Sequence, residues 1–418
     1  MLLKTILNRC QKFKCFVYGD VRFAKCGDKD CIEVVVSPRK GSAAICSGCH
    51  NPAPGYDRAN EPRRFEFIPL WGFTVFFLYV MRRVNCKTCG VKVEEVPWAD
   101  GKRQLTKPYM QFLASWARSL SWTEVAQRFQ TTWDKVFNSV EYIVEWGLAH
   151  RSLDGITAIG VDEIQWKKNH KYLTLVYQIN SGSVRLLWIG RERTRETFAK
   201  FFDMLGKERS TLIEYVCSDM WKPYLQVIKQ RINQAVHILD RYHIVARINK
   251  ALDAVRAGEH RRMKQDGHDP LLTKSRWLLL KKPENLTDNQ EASLKNLLKY
   301  NLQSVRAYLL KEDFQRLWTY ISPGWASRFI DQWTTRVMRS RIEPLKKEAM
   351  TIRRHKDLIL NWFRAKGAMS SGVVEGMNNK AKLTMRKSYG FREFRSIEVA
   401  LYHSLGKLPE PPVTHRFS

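Results

Sequence analysis

The sequence predicts a multidomain α/β protein, on three observations. Eight of its nine cysteines precede residue 100, four of them in two C-x-x-C pairs. From Ile156 to about residue 250, short β-branched runs alternate with helical stretches. From Ala251 to Ala365 the pattern is helical throughout, rich in Lys, Arg and Trp. These readings give a zinc ribbon-like domain (1–100), a helix-turn-helix region (101–150), an α/β core (151–250), an all-helical insertion (251–365), a returning core segment (366–408) and a loose tail (409–418).

The charge balance narrows the function. Across 418 residues, Lys plus Arg is 71 against 41 for Asp plus Glu, a formal net charge of +30. That excess argues against a neutral small-metabolite enzyme and points to a polyanion, of which nucleic acid is the common one; the partner expected for the whole chain is double-stranded DNA. Hydrophobic residues make up 44%, enough for real cores rather than a basic tail. The start, Met1-Leu2-Leu3-Lys4, lacks the apolar run of a signal peptide, so a cytoplasmic, nucleoid-associated setting is expected. The most apolar window, Phe67 to Met81, is shorter than a bilayer span of roughly 20 residues and contains Pro69 and Gly72. It reads as a buried β-hairpin, and no membrane partner is expected.

In the first domain, Cys46-Ser47-Gly48-Cys49 and Cys86-Lys87-Thr88-Cys89 each make a tight knuckle whose sulfurs can face one ion. Two knuckles complete a tetrahedral Zn²⁺ site with Zn–S bonds of about 2.3 Å. The bland alternative is four buried thiols. His50, adjacent to Cys49, is awkward as a further ligand. Cys10/Cys15 and Cys26/Cys31 form two C-x4-C pairs, read as packed thiols or a second metal site rather than disulfides.

Two helices follow the zinc module, Leu120 to Phe129 and Thr132 to Glu145, broken at Gln130-Thr131. Ser121 with Glu124 three residues on has capping-box spacing. This is the shape of a helix-turn-helix, although an ordinary helical hairpin fits too, and Lys135 is the second helix's only Lys or Arg.

Ile156–Asp162, Tyr172–Ile179 and Val184–Ile189 read as strands, with a hairpin turn at Asn180-Ser181-Gly182-Ser183. A helix from Arg195 to Leu205, a strand ending at Asp219, a helix from Pro223, the strand Ala235–Leu239 and a helix from Tyr242 complete the order β-β-β-α-β-α-β-α. That is a ribonuclease H-like order. It sets the first and fourth strands side by side and parallel, about 4.8 Å apart, so that Asp162 and Asp219 share an ion. Their oxygens suit Mg²⁺ or Mn²⁺.

Glu163 rivals Asp162, but strand alternation sends the two to opposite faces, and Asp162 fits the strand end better. Asp240 and His243 are accessory candidates. Glu375, Asn378, Asn379, Lys382 and Arg386 form a helical stripe (i, i+3, i+4, i+7, i+11), with the carboxylate on the metals and the others on DNA. Lys380, Lys387 and Arg392 add phosphate contacts.

Several motifs together resemble the bacterial insertion-sequence DDE transposases of the ISL3 family. They are the cysteine knuckles with Arg82-Arg83-Val84-Asn85-Cys86, Gly160-Val161-Asp162-Glu163, Ser218-Asp219-Met220-Trp221 and Asp240-Arg241-Tyr242-His243. The most specific is Val374-Glu375-Gly376-Met377-Asn378-Asn379-Lys380-Ala381-Lys382, followed by Tyr389-Gly390-Phe391. The resemblance covers nearly the whole chain from Cys46. It implies a catalytic triad of Asp162, Asp219 and Glu375 holding Mg²⁺ or Mn²⁺, terminal inverted repeats bound by the N-terminal modules, and direct phosphoryl transfer to target DNA. Joining two ends implies a homodimer or larger assembly on DNA. The competing readings are a structure-specific nuclease on the same fold and an inactive DNA-binding regulator.

Overall fold

The structure is a computed structural model that describes residues 3–268, 271–365 and 372–412. The chain divides into two compact units. One holds the residues up to Ser152 together with those from Leu383 onward, and the other is Leu153–Lys382. The segment 366–408 is therefore shared between them. Ser370, where the sequence reading resumes the core, and residues 413–418 of the tail lie outside the described residues.

The first unit opens with a four-stranded sheet ordered Phe16–Cys26, Lys29–Pro38, Phe73–Tyr79, Arg63–Leu70. The apolar window is indeed an antiparallel hairpin, Arg63–Leu70 against Phe73–Tyr79. Trp71 and Gly72 turn it with φ of 48° and 86°, the left-handed pair that a tight hairpin needs. Alternate residues Phe65, Phe67, Val75, Phe77 and Tyr79 face one core, a period of two. Trp98, 0% exposed, fills its centre, with ring contacts to Phe16 and Tyr79 at 4.9 and 5.3 Å. Each such buried side chain contributes about 1.5–3 kcal/mol.

Cys26 and Cys31 form a disulfide, which replaces both sequence readings of that pair. The two strands meet in a tight hairpin across Gly27-Asp28, with Cα atoms 5.9 Å apart, so the register delivers the sulfurs to each other. Cys10 and Cys15 are free thiols.

Three helices follow, Lys107–Ala117, Trp122–Arg128 and Trp133–His150. Ser121 and Glu124 make the full capping box, and Gln130, with φ of 51°, turns the chain between the second and third helices. The third helix buries Val136, Val140, Ile143 and Val144. The helix Phe394–Leu405 packs beside it, with Arg395 bonding Glu141 at 2.8 Å and Glu145 at 2.5 Å. The tail begins anchored rather than loose. Glu410 pairs with Arg118 at 2.6 Å, and Gly147, lacking a side chain, lets Leu408 and Pro409 lie across the third helix.

In the second unit, β1 (Ala158–Lys167), β2 (Lys171–Asn180) and β3 (Ser183–Arg191) form an antiparallel meander. The β2–β3 turn is the expected Ser181-Gly182 pair. β4 (Tyr215–Ser218) runs parallel to β1, and β5 (Val236–Leu239) runs parallel to β4. The sheet order is β3-β2-β1-β4-β5. Helices α1 (Arg195–Leu205) and α2 (Lys222–Arg231) connect β3 to β4 and β4 to β5. Phe198, Phe201, Phe202, Tyr224 and Val227 from these helices pack with β-strand residues in one core.

The long helix α3 (Arg241–Gln265) leaves β5, and from Ala251 to Ala365 the described residues contain helices and no strand. Their own core gathers Leu252, Phe314, Trp333, Leu345 and Phe363. Glu259 of α3 caps the helix Gln303–Gln315 by accepting from the backbone nitrogens of Gln303 and Ser304 at 2.7 and 2.8 Å. The chain then returns through α4 (Gly372–Lys387). No helix among the described residues is long and apolar enough to cross a membrane.

Candidate active site

β1 does not end at Asp162, as the sequence suggests, but continues to Lys167 by pairing with β2. What stops at this level is its other neighbour. The last β1–β4 pair is Gly160 with Cys217, so extending that register by two residues sets Asp162 beside Asp219. Adjacent strands lie about 4.8 Å apart, close enough for two carboxylates to bind one cation.

The surroundings of both aspartates are built. Asp162 Oδ1 accepts from the Glu163 backbone nitrogen at 2.8 Å, and Oδ2 accepts from Asn378 Nδ2 at 2.6 Å. Burial pushes its carboxyl up to about 6; the Glu163 backbone bond and His243 oppose this, and Asp219 and Asp240 add to it. Asp219 Oδ1 accepts from the Trp221 backbone nitrogen at 2.9 Å, and Oδ2 faces Arg193 Nη2 at 3.1 Å. Burial raises its carboxyl too, against that backbone bond and Arg193.

Glu163 is not remote from the site. The same Arg193 nitrogen reaches Glu163 Oε1 at 2.8 Å, and burial, then Asp219, push this carboxyl up to about 8. Arg193 also lies over the Trp221 ring, 4.3 Å from its centroid. Nothing in the sequence pattern singles out Arg193; it follows the end of β3 and becomes visible only when that strand is laid beside β1. Asp240 caps α3 by accepting from the Tyr242 backbone nitrogen at 2.7 Å, is 7% exposed, and has His243 Nε2 3.8 Å away.

Helix α4 is fitted closely to β1. A side chain at Gly160 would run into Val374, so only glycine permits this approach. Val374, Met377, Asn378 and Ala381 are the buried face. Asn378, 4% exposed, takes Tyr177 Oη–H on its Oδ1 at 2.7 Å while its Nδ2 holds Asp162. Its amide is thus committed inside the protein and cannot serve as the DNA contact that the helical stripe implies.

The exposed stripe is instead Glu375, Asn379, Lys382 and Arg386, with Lys380 also exposed. Lys387 corrects another expectation. Its ammonium donates to the carbonyls of Ala117 and Arg118 at 3.2 and 3.0 Å, closing the C-terminus of the Lys107–Ala117 helix.

Glu375 is exposed and lines a cleft of about 680 Å³ with Arg241, Tyr242, Asn249 and Trp318. Asp219 lines a different cleft, of about 320 Å³. The oxygens of Asp162, Asp219 and Glu375 are not all within 4.8 Å of one another. The buried pair Asp162 and Asp219 nevertheless fits a hard divalent cation, because carboxyls raised by burial are those a cation would relieve.

Among the described residues, the one group of three or more His, Cys, Asp or Glu side chains that meets this distance is Cys46, Cys49, Cys86 and Cys89. Cys49 and Cys86 sulfurs are 3.5 Å apart. Sulfurs bonded to one tetrahedral zinc stand roughly 3.8 Å apart, so the quartet fits that ion. His50 is turned to Glu95 at 2.7 Å, away from any ligand role.

Comparison with known proteins gives consistent results. A family model described as Transposase, of the DDE ISL3 group, matches residues 159–401, more than half of the chain. The chain is 29% identical over 435 residues to the transposase for insertion sequence element IS1557 of Mycobacterium tuberculosis, covering 96% of this chain and 95% of that protein. It is 29% identical over 334 residues to the transposase for insertion sequence element IS1001 of Bordetella parapertussis, covering 79% of this chain and 81% of that protein.

Proposed function

This chain belongs to the ISL3 family of DDE transposases, and from that premise we propose that it binds the terminal inverted repeats of an insertion sequence, cuts the DNA there and joins the freed 3′ ends to target DNA. The observation that carries this reading is the placement of Asp162 on β1 and of Asp219 just past the end of its parallel neighbour β4, both carboxyls raised by burial. The strand order supports a ribonuclease H-like core, interrupted by the helices of 251–365.

In this reading Asp162, Asp219 and Glu375 are the catalytic carboxylates. Mg²⁺ or Mn²⁺ bound there supplies Lewis acidity to the scissile phosphate and a more acidic attacking water. The protein's own contribution is positional. Asn378 fixes the rotamer of Asp162, and Arg193 and the Trp221 backbone fix that of Asp219. Glu375 sits one turn ahead of Asn378, on the helix clamped against β1. Lys382, Arg386, Lys380 and Asn379 on the exposed face meet the phosphate backbone. Asp240 and His243 are accessory, setting the start of α3 and the field at the aspartates.

The cysteine quartet holds Zn²⁺. The helices Trp122–Arg128 and Trp133–His150 form a helix-turn-helix for the repeats. Lys135 does not act there, since it is held by Glu66 at 2.6 Å. The enzyme works in the cytoplasm on nucleoid DNA, and two ends require a homodimer or larger assembly.

The test supplies pre-cleaved repeat ends and a target plasmid with Mg²⁺. Joined product is expected from the wild type, and none from Asp162→Asn, Asp219→Asn or Glu375→Gln, all of which keep end binding. Cutting without any joining would replace this reading with a nuclease; activity retained by the Asp variants would remove the carboxylates from the chemistry.

A further inference from the structure

Helix α3 lines two clefts that differ in charge balance. Arg241, Tyr242, Val245 and Asn249 line the Glu375 cleft, together with Trp318. The residues His243, Ala246, Arg247 and Lys250, one helical face away, line the Asp219 cleft with Arg193, Trp221 and Lys222. The Asp219 cleft therefore gathers four cations, Arg193, Lys222, Arg247 and Lys250, against a single carboxylate, Asp219.

These cations differ in what they already hold. Arg193 is committed to Glu163 and Asp219, and Arg247 is paired with Glu348 at 2.8 Å. Lys222 and Lys250 are exposed and make no ion pair or hydrogen bond among the described residues. Two uncommitted ammonium groups lining one cleft leave it with positive charge that an anion would neutralise.

We propose that the Asp219 cleft is a subsite for the sugar–phosphate backbone of the DNA strand next to the reacting phosphate, with Lys222 and Lys250 as its phosphate contacts. The proposal rests on the transposase reading and names where one strand lies in it. A cleft of about 320 Å³ admits one strand's backbone, not a duplex. Lysine suits this work because an ammonium binds phosphate as a point charge, with no demand on base identity. The Glu375 cleft sets three carboxylates, Glu284, Glu312 and Glu375, against its cations, which makes it the poorer phosphate site.

The experiment uses the full chain, with Lys222→Gln, Lys250→Gln and the double variant, and repeat-end duplexes as probes. Single phosphates around the cut are replaced, one at a time, by uncharged methylphosphonates. In wild-type protein a few neutralised phosphates on one strand beside the cut should each weaken binding. The double variant should lose that sensitivity, and its log Kd against log salt slope should fall by roughly 1–2, about 0.7–0.9 per phosphate contact. Melting temperatures of the variants report that they are folded, and each single variant should account for part of the slope.

An unchanged slope with a wild-type methylphosphonate profile would overturn the proposal, as would a loss scattered over phosphates remote from the cut. Failure of the transposase reading shows up separately, as wild-type protein that cuts repeat ends but joins none of them to the target plasmid. The subsite result is read from binding alone.

Discussion

The cysteine quartet and the proposed catalytic carboxylates are built on opposite plans. The cysteine quartet comes from two knuckles, Cys46/Cys49 and Cys86/Cys89, and its sulfurs already stand within 4.8 Å of one another. The carboxylates come from three remote segments, and only two of them, Asp162 on β1 and Asp219 just beyond β4, sit on or directly after neighbouring strands. Glu375 lies in its own cleft on the exposed edge of α4. A closed, local site suits an ion that holds a fold together; an open, dispersed one suits chemistry that must admit substrate.

That contrast can be broken most decisively at the thiols. Cys86→Ser, or a strong chelator, should remove zinc and unfold the knuckle pair, because zinc binding of this kind supplies about 10–16 kcal/mol. Metal analysis should give about one zinc per wild-type chain, and circular dichroism should record the loss. A quartet that keeps its fold without metal would erase the distinction. At the carboxylates, Asp162→Asn or Asp219→Asn should leave the protein folded yet slow cleavage by about a thousandfold or more, several kcal/mol of lost transition-state stabilisation, with binding to repeat ends intact.

Protonation sharpens the difference further. Asp162 titrates near 6 in the folded protein, above its ordinary 3.8. Folding therefore favours its protonated form: that contribution is complete below about pH 4 and is lost as pH rises through 6. Without divalent metal, Asp162→Asn should gain roughly 2–3 kcal/mol on the wild type between pH 4 and pH 7.5 in denaturant melts, and added Mg²⁺ should shrink the gain. Gly160→Ala should cost about 1–3 kcal/mol by pushing α4 off β1. Tyr177→Phe, the mildest change, should cost about 1 kcal/mol through the lost bond to Asn378.

Local chemistry was legible in the sequence, and lateral chemistry was not. The Ser121–Glu124 capping box, the Ser181-Gly182 hairpin and the apolar hairpin around Gly72 are short-range patterns, and each formed as its residues suggest. The parallel pairing of the first and fourth strands followed from element order. The length of β1 did not, because hairpin pairing with β2 carries it past Asp162 after β4 has ended. Helical spacing grouped Asn378 with Glu375, but which side of that stripe turns inward depends on Gly160 and Tyr177, residues of other strands. The same blindness hid Arg193 and the inward role of Lys387, each a matter of what lies across a gap rather than along the chain; the Cys26–Cys31 bond is local, and a reading of the pair as thiols or metal ligands misses it.

The first compact unit draws its residues from both sides of the second. On the ribosome, where segments fold as they emerge, the helix Trp133–His150 has to wait for Phe394–Leu405, some 240 residues later. Until then the flank that Arg395 will occupy, with Glu141 and Glu145 unanswered, stays open to proteases and chaperones. A prematurely terminated chain lacking Phe394–Leu405 would keep that flank open.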